Sequence, residues 1–475
     1  MFANHRAYWK TVVIAFLLLA VGRPALGQSD QQKQRVFTLE EAVDFALKNY
    51  PAVRASLEHV RSAEAGVGVA QTSYLPQANI LWQSSRATDN NITGLTIPNS
   101  VIAPITGPVA TSPSGRSAWG SASGLLFSWE PVDFGYRGAK VDAARAVKNR
   151  AAAEASLTRL DVGIATVNAY LTLLAAEQTV RAAQADVERR ETFTKSVHVL
   201  VDNELRAGAD ASRADAELAR ARVNLARAQQ QAATSRAQLA DILGIADAVV
   251  EVRESTLLGT PPASAPPTPT ISANPFAQVQ HARVQEEQSL VHALDRSYYP
   301  KLYLQSVAMG RGSGVDPTGQ FLGGSEGLGP DRANWAAGLS VTFPVFDIFS
   351  IRSKKAVEVA NERAEQARYD QALQDLTGQL RKAQASLDGA RKVAENTPLE
   401  LDAARTTETQ ERARYQAGLA TLVDVADAQS FLVQAEIDDA LARLAVWQNL
   451  ASVAAAQGDL APFLQSLHDA TQGAR

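Results

Sequence analysis

The sequence predicts an α+β fold in which four strand segments are joined to long coiled-coil helices. Three observations support this prediction. The 475-residue chain carries the same order of motifs twice, its longest segments have apolar residues at coiled-coil spacing, and each half contains strand-like stretches with one apolar side. Each half is therefore predicted to run helix, strand, strand, very long helix, helix.

Residues 1–27 have the order of features typical of a secretory signal peptide. Arg6 and Lys10 precede the uncharged run 11–22, and residues 25–27 supply a cleavage site with small side chains. These 12 uncharged residues are fewer than the roughly 20 that a transmembrane helix needs. No later stretch has 18 consecutive apolar residues, so we expect export without a membrane-spanning helix.

The composition excludes several classes of protein. Lys and Arg number 46 against 50 Asp and Glu, which argues against a nucleic-acid partner. The absence of cysteine excludes disulfides, thiolate metal sites, cysteine nucleophiles and lipid attachment through a cysteine. The six histidines are scattered without metal-site spacing, so we expect no metal and no other cofactor.

Four pairs of short motifs predict an internal two-fold repeat, because they occur in the same order in both halves. The pairs are 73–76 (SYLP) with 297–300 (SYYP), 124–129 (GLLFSW) with 338–343 (GLSVTF), Trp129-x3-Asp133 with Phe343-x3-Asp347, and 207–215 with 417–424. The first repeat is predicted over 28–255 and the second over 276–475. The stretch 256–275 between them has six prolines and is predicted to be a semi-rigid linker.

Two predicted strands show a clear alternation of period two. In each strand, large apolar residues alternate with small or polar ones; the apolar positions are Trp119, Leu125, Phe127 and Trp129 in the first half, and Trp335, Ala337, Leu339, Val341 and Phe343 in the second. Each half has a further strand-like segment, near 78–85 in the first. The pattern suits a lipid-facing strand of an outer-membrane barrel, and it suits equally a half-buried strand of a soluble sandwich.

The longest helix is predicted between residues 139 and 207, where the sequence has no proline and one glycine. Its apolar residues 157, 160, 164, 167, 171 and 174 are spaced as a coiled-coil seam, and the seam recurs at 218–242 and 373–387. We expect Pro398 to interrupt and kink the second long helix. Each long helix is predicted to turn at Gly208 or Gly418.

The helices that follow these turns should begin with N-terminal caps. Ser212 and Thr421 are the predicted capping residues, each with an acidic residue three positions later, Asp215 or Asp424. Four strands per chain are too few for a membrane barrel, which has at least about eight. If the strands lie in a membrane, several chains must therefore share one barrel, and their helices would continue as a shared tube.

The sequence resembles the TolC-like outer-membrane efflux proteins from about residue 37 to 463. The matching motifs are 37–42 (FTLEEA), 74–76 (YLP), 133–135 (DFG) and 415–429 (YQAGLATLVDVADAQ). The resemblance implies an α+β membrane protein of Gram-negative outer membranes, a homotrimer whose twelve-stranded β-barrel takes four strands from each chain. It also implies a periplasmic barrel of twelve helices. The implied function is a passive exit duct that docks with a periplasmic adaptor and an inner-membrane pump.

The resemblance also implies a gate at the periplasmic tips of the helices. Asp424 and Asp427 match paired acidic residues at the narrowest point, where three chains would bring six carboxylates to one axis. Such a ring would attract cations and raise some of its own pKa values. The residues alone favour a different interpretation, in which Asp424 is a helix-capping residue and Asp427 is a solvated surface acid.

In the family, polar links between neighbouring helices hold the tips shut. Tyr415 and Asp215 match two of the linking positions, whereas Ala420 and Ala214 stand where the family has an arginine and a threonine. We therefore expect a gate that is weakly held, or that is held by other contacts.

The tips are also the contact with the adaptor that the resemblance implies. Gly208, Ser212, Gly418 and Thr421 are the residues predicted to lie there. Gly208 and Gly418 would permit close approach of a partner backbone.

Other functions fit the sequence less well. It has no nucleophile elbow, metal motif or phosphate loop, and the glycine-rich stretch 310–329 lies between strand signals, where it is predicted to form an extracellular loop. We therefore expect that the protein is not an enzyme. A non-transporting coiled-coil structural or surface protein of the cell envelope is the alternative.

Overall fold

A computed structural model describes residues 35–88, 115–253, 256–259, 270–316, 318 and 320–473. The predicted signal peptide 1–27 and the linker residues 260–269 lie outside the described residues. The strands are β1 (Arg35–Phe37), β2 (Gln77–Thr88), β3 (Ser117–Val132), β4 (Val250–Val252), β5 (Lys301–Ser313) and β6 (Arg332–Thr342). The helices are α1 (Leu39–Asn49), α2 (Pro51–Thr72), α3 (Tyr136–Asp202), α4 (Gly208–Ile242), α5 (Pro275–Arg296), α6 (Asp347–Gln416), α7 (Leu422–Gln457) and α8 (Ala461–Gly473).

Four of the strands form one antiparallel sheet in the order β2-β3-β5-β6. Two strands come from each half of the chain, and the halves meet where β3 pairs with β5. In the described strands, β2 and β6 are the edges of this sheet. The predicted glycine-rich loop 310–329 starts later than expected, because Gly310 and Gly312 belong to β5.

The register of the sheet places most of its large apolar side chains on one face. Ile80 lies opposite Leu125, which lies opposite Ala308, which lies opposite Trp335. Directly opposite residues of antiparallel strands share a face, so this face runs across all four strands. Its further members are Trp82, Phe127, Trp129, Leu302, Leu304, Leu339 and Val341. The predicted apolar sides of β3 and β6 are thereby confirmed.

The described residues leave most of this apolar face uncovered. Ile80 is 86% exposed, Trp82 is 72% exposed and Trp335 is 82% exposed. A half-buried strand of a soluble sandwich would bury such residues against a second sheet. The reading of these strands as half of a sandwich within one chain is therefore wrong.

Two long antiparallel hairpins extend from this sheet. α3 has 67 residues and α6 has 70, about 100 Å each at 1.5 Å per residue. α3 packs against α4, and α6 packs against α7. One 18-residue stretch of α3 is apolar enough to cross a membrane, and nearly half of that stretch is buried inside the chain. Tyr170 and Leu171 of this helix are fully buried, so this part of α3 belongs to the protein core.

The main core lies where α3 packs against α1 and α7, and α8 packs against α7. The Tyr170 hydroxyl donates to the carbonyls of Phe37 and Arg253 at 3.2 and 3.1 Å, and it thereby ties α3 to the small parallel sheet of β1 and β4. The rings of Trp447 and Phe463 meet edge to face at 6.2 Å. Neither the β1–β4 pair nor α8 is predicted from the sequence, because three-residue strands carry no readable periodicity.

The second long helix corrects one expectation from the sequence. α6 continues through Pro398 as one element, so the predicted interruption is wrong. The residue before this proline, Thr397, is buried, and its hydroxyl donates to Asp439 on α7 at 3.1 Å; packing of this kind can hold a helix together where one backbone hydrogen bond is lost. At the N-terminus, α1 ends at Asn49, before Tyr50 and Pro51, and Thr38 and Glu41 form a capping box at its start.

Candidate functional site at the hairpin tips

The second hairpin turns as the sequence predicts. Gly418 has a φ of 80°, which favours glycine, and it follows the end of α6. Its N–H donates to the Tyr415 carbonyl at 3.0 Å, and the Leu419 N–H donates to the Arg414 carbonyl at 2.8 Å. These two bonds satisfy carbonyls that the end of a helix leaves without partners.

Thr421 and Asp424 form a reciprocal cap at the start of α7, as predicted. The Thr421 N–H donates to the Asp424 carboxylate at 2.7 Å, and the Asp424 N–H donates to the Thr421 hydroxyl oxygen at 3.3 Å. The hydrogen bonds from Thr421, first from its side chain and then from its backbone, lower the pKa of the Asp424 carboxyl below its ordinary value. In a single chain, Asp424 therefore acts as a capping residue.

The first hairpin turns at a different residue from the predicted one. α3 ends at Asp202, and Glu204 takes the left-handed conformation with a φ of 61°. The Leu205 N–H donates to the Leu200 carbonyl at 2.9 Å, in the same pattern as at the second tip. Gly208 is instead the first residue of α4, so the prediction that the chain turns at Gly208 is wrong.

The predicted cap of α4 is also wrong. The residue before this helix is Ala207, which has no side chain that could cap it. Ser212 lies inside α4, one turn too late to accept from the first N–H groups. Asp215 consequently lies in the second turn, where its carboxylate meets Nε2 of His198 on α3 at 3.0 Å. This hydrogen bond raises the pKa of His198 above its ordinary value.

Tyr415 joins the two hairpins through three contacts that we call the tip bridge (Arg206, Tyr415 and Asp210). The Arg206 guanidinium lies 4.4 Å above the Tyr415 ring, and its Nη2 donates to the Tyr415 carbonyl at 2.7 Å. The Tyr415 hydroxyl donates to the Asp210 carboxylate at 3.3 Å. Desolvation, followed by the charge of Asp210, raises the pKa of the Tyr415 hydroxyl.

An apolar cluster lies behind the tip bridge. Phe193 meets the Tyr415 ring edge to face at 5.3 Å, and Ala214 is 3% exposed in the same cluster. Ala420 packs against it. Larger polar side chains at positions 214 and 420 would have to fit into or beside this cluster, which is a physical reason for alanine at both.

The structure separates the predicted site residues into three groups. Tyr415 and Asp215 do not meet, since Tyr415 bonds to Asp210 and Asp215 bonds to His198. Asp424 and Asp427 are both exposed on α7, while Val425 and Ala426 between them are buried. The predicted adaptor-contact residues Gly208, Ser212, Gly418 and Thr421 are all exposed.

Sequence reasoning missed Arg206, Asp210 and His198. No periodic pattern marks them, because they lie at a turn or pair across two helices. One signal could have found Arg206. It is a basic residue just before the predicted turn at Gly208, near the position that corresponds to Tyr415 in the second repeat. Among the described residues, no group of three or more His, Cys, Asp or Glu side chains could hold a metal ion.

A family model for outer membrane efflux proteins matches residues 42–245 and 270–459. The chain belongs to this family. Solved structures of similar fold include the outer membrane channel CmeC of Campylobacter jejuni, with a TM-score of 0.71 and 18% identity over 91% of this chain and 89% of that one. A comparison with curated proteins finds no match.

Two further structures have the same fold. The outer membrane protein VceC of Vibrio cholerae has a TM-score of 0.69 and 17% identity over 89% of this chain and 96% of that one. The open state of the MtrE outer membrane channel of Neisseria gonorrhoeae has a TM-score of 0.68 and 19% identity over 89% of each chain. The resemblance to TolC-like outer-membrane efflux proteins is thereby confirmed.

Proposed function

We propose that this efflux protein forms a homotrimeric exit duct, with a twelve-stranded barrel in the outer membrane and a twelve-helix tube in the periplasm. The observation that carries the proposal is the open four-stranded sheet with an uncovered apolar face. An isolated sheet with unpaired edges is not stable in lipid, because each free N–H and C=O there lacks a partner. Three copies supply the missing pairs if β6 of one chain joins β2 of the next.

The surfaces beside the two edges support this assembly. All of β6 is exposed, and the chain that follows it exposes Phe346 at 85% and Phe349 at 71%. Near the other edge, Leu75 is 62% exposed and Leu81 is 57% exposed. Contiguous exposed apolar surface of this kind marks contact with a partner or with lipid. A solitary coiled-coil surface protein, the competing function, would leave both surfaces in water.

We further propose that the hairpin tips gate the duct and bind a periplasmic adaptor, which connects the duct to an inner-membrane pump. Asp424 and Asp427 would form the ring of acids at the constriction. The tip bridge would take the place of the family's polar links between helices, two of which are missing here because Ala420 and Ala214 replace an arginine and a threonine. The exposed residues Gly208, Ser212, Gly418 and Thr421 would contact the adaptor, which a cysteine crosslink from Ser212 or Thr421 to a co-produced adaptor tests.

Disulfide trapping tests the trimer, since the natural chain has no cysteine. We expect Ser84→Cys on β2, combined in turn with Ala333→Cys, Ala337→Cys or Val341→Cys on β6, to give a covalent trimer on non-reducing gels in at least one pairing. All four positions lie on the apolar face, so a correct register brings two of them together.

The matched control uses Leu126→Cys with Val307→Cys, which are directly opposite each other within one chain. Their disulfide forms inside the monomer and should produce no larger band. Purified protein that is monomeric in detergent, with no β2–β6 crosslink in any pairing, would contradict the shared barrel.

A further inference from the structure

A pocket lies where the sheet joins the long helices. Its volume is about 450 Å³, within the range of about 300–1,000 Å³ that is usual for small-molecule sites. Residues of α3, α5, β5, β6 and α6 line it, so the pocket is formed within one chain. Its lining includes three tyrosines and three charged side chains, which are Tyr136, Tyr299, Tyr303, Lys301, Lys354 and Asp347. We call it the junction pocket.

The junction pocket borders the polar face of the sheet. Lys301 and Tyr303 alternate along β5 with Leu302 and Leu304, which belong to the apolar face. Thr342 of β6 is directly opposite Lys301, so it also lies on the polar face. In the proposed trimer the apolar face contacts lipid and the polar face lines the duct, which places the pocket beside the path of the solutes.

Two ammonium groups share the ring of Tyr136. Nζ of Lys301 lies 4.3 Å from the ring centroid, and Nζ of Lys140 lies 4.5 Å from it. In the described part of the chain, neither lysine forms a salt bridge. The two like charges at one ring repel each other, and an anion beside them would reduce that repulsion.

Two further cations lie at the junction pocket. Lys354 is exposed in its lining, and the Arg296 guanidinium lies 5.9 Å from the centroid of the Tyr299 ring. Neither side chain forms a salt bridge with another described residue. Cations therefore lie on two of the three tyrosine rings and in the lining itself.

Among the described residues, fewer acids face these cations. Asp347 lies in the lining, and the register of β3 with β5 places Glu130 beside Tyr303. Two other acids at this end of the sheet are engaged in salt bridges, Asp133 with Arg137 at 3.0 Å and Asp295 with Lys355 at 2.5 Å. The junction pocket and the groups stacked on its rings therefore carry more positive than negative charge.

We propose that the junction pocket binds aromatic carboxylates on their way through the duct. The ammonium groups of Lys301 and Lys354 would pair with the carboxylate through charge-assisted hydrogen bonds, and the tyrosine rings would supply surface for the aromatic part. Asp347 would repel the carboxylate and keep binding weak, which lets a solute in a duct leave again. The position beside the solute path rests on the proposed trimer, whereas the pocket is complete within one chain.

Equilibrium dialysis of naphthoate against the purified full chain in nanodiscs tests the pocket, with empty nanodiscs to subtract partitioning into lipid. Naphthylmethanol has the same ring system without a charge, so we expect it to bind roughly tenfold more weakly, the scale of a charge-assisted hydrogen bond. Lys301→Gln with Lys354→Gln should raise the dissociation constant of naphthoate roughly tenfold and leave that of the alcohol nearly unchanged.

Arg352→Gln is the matched control. Arg352 is exposed on the same helix as Lys354 but does not line the pocket, so its loss should leave naphthoate binding unchanged. Asp347→Asn removes the repelling charge and should tighten naphthoate binding roughly threefold. This variant also serves if the double lysine variant fails to fold, since its effect has the opposite sign.

The outcomes separate the pocket from the duct. Equal affinity of the parent for naphthoate and the alcohol, or naphthoate binding that the double lysine variant leaves unchanged, would overturn the proposal. Weaker naphthoate binding in Asp347→Asn would overturn it as well. Naphthoate binding as expected by a parent that stays monomeric and forms no channels would instead contradict the proposed duct and leave the ligand class of the pocket intact.

Discussion

At the scale of single residues, Tyr415 shows how a buried aromatic residue can connect two helical hairpins. Its ring is 1% exposed, yet its hydroxyl and its carbonyl both have partners on the first hairpin. A buried tyrosine needs a partner for its hydroxyl, because desolvating that group alone is costly. Asp210, in the first turn of α4, accepts from the hydroxyl, and Arg206, in the turn before α4, donates to the Tyr415 carbonyl.

Arg206→Ala is predicted to loosen the tips. It removes a stacked cation and a charge-assisted hydrogen bond to Tyr415, so we expect the frequency of channel opening in planar bilayers to rise roughly tenfold. Arg222→Ala is the control, since that arginine pairs with Glu191 on α3, outside the tip bridge. An opening frequency equal to that of the parent would show that other contacts hold the tips.

At the scale of elements, the two hairpins share one turn geometry but differ in their residues. Gly418 adopts the left-handed conformation at no steric cost, whereas Glu204 adopts it against the usual penalty for a residue with a Cβ. Of the two helices that follow the turns, α7 has a reciprocal cap and α4 has none, because Ser212 lies within α4. The N-terminus of α7 is therefore the one that depends on a side chain.

Thr421 and Ser212 occupy equivalent places in the two repeats. Replacing each by alanine distinguishes a capping residue from a serine inside a helix. Thr421→Ala should speed hydrogen exchange of the first-turn amides of α7 roughly fivefold, the scale of one lost N-terminal cap. Ser212→Ala should leave exchange at the start of α4 nearly unchanged. Equal effects in the two helices would contradict the assignment of the caps.

The same cap should depend on pH. Because the folded pKa of Asp424 is lowered, the stabilisation by the cap is present above the ordinary pKa of a carboxyl, about 3.9, and is lost as the pH falls through the lower folded value. Protection of the first-turn amides of α7 should therefore fall below about pH 4 in the parent protein. It should change much less in Thr421→Ala, where the cap is already absent.

At the scale of the whole molecule, assembly decides what Asp424 and Asp427 do. In one chain, Asp424 caps a helix and its pKa is lowered. In the proposed trimer, both carboxylates of each chain would approach the common axis, where mutual repulsion opposes that lowering. Capping and gating are compatible, because a carboxylate that accepts from Thr421 still has oxygen lone pairs available.

Asp424→Ala with Asp427→Ala is predicted to abolish block of the channel by multivalent cations. The ring would otherwise hold such cations at the constriction through several carboxylates at once. The measurement is the current in planar bilayers with increasing cobalt hexammine on the side of the tips. Asp438→Ala on the same helix, further from the tip, is the control, and unchanged block in the double variant would place the cation site elsewhere.

The sequence by itself determined the local features of this protein. The spacing of apolar residues predicted both long helices and the two faces of the sheet, and Gly418, Thr421 and Asp424 predicted the second turn and its cap. These features depend on residues within a few positions of one another, so periodicity and side-chain type suffice to define them.

Only the tertiary structure decided which distant residues meet. It paired Tyr415 with Arg206 and Asp210, moved the first turn from Gly208 to Glu204, and set Arg311 opposite Arg332. Such contacts depend on the register of strands and on the packing of helices that are far apart in the chain, and a shift of one residue would change each of them. The spacing of residues within one helix or strand does not define that register, because the side chains that fix it belong to other elements.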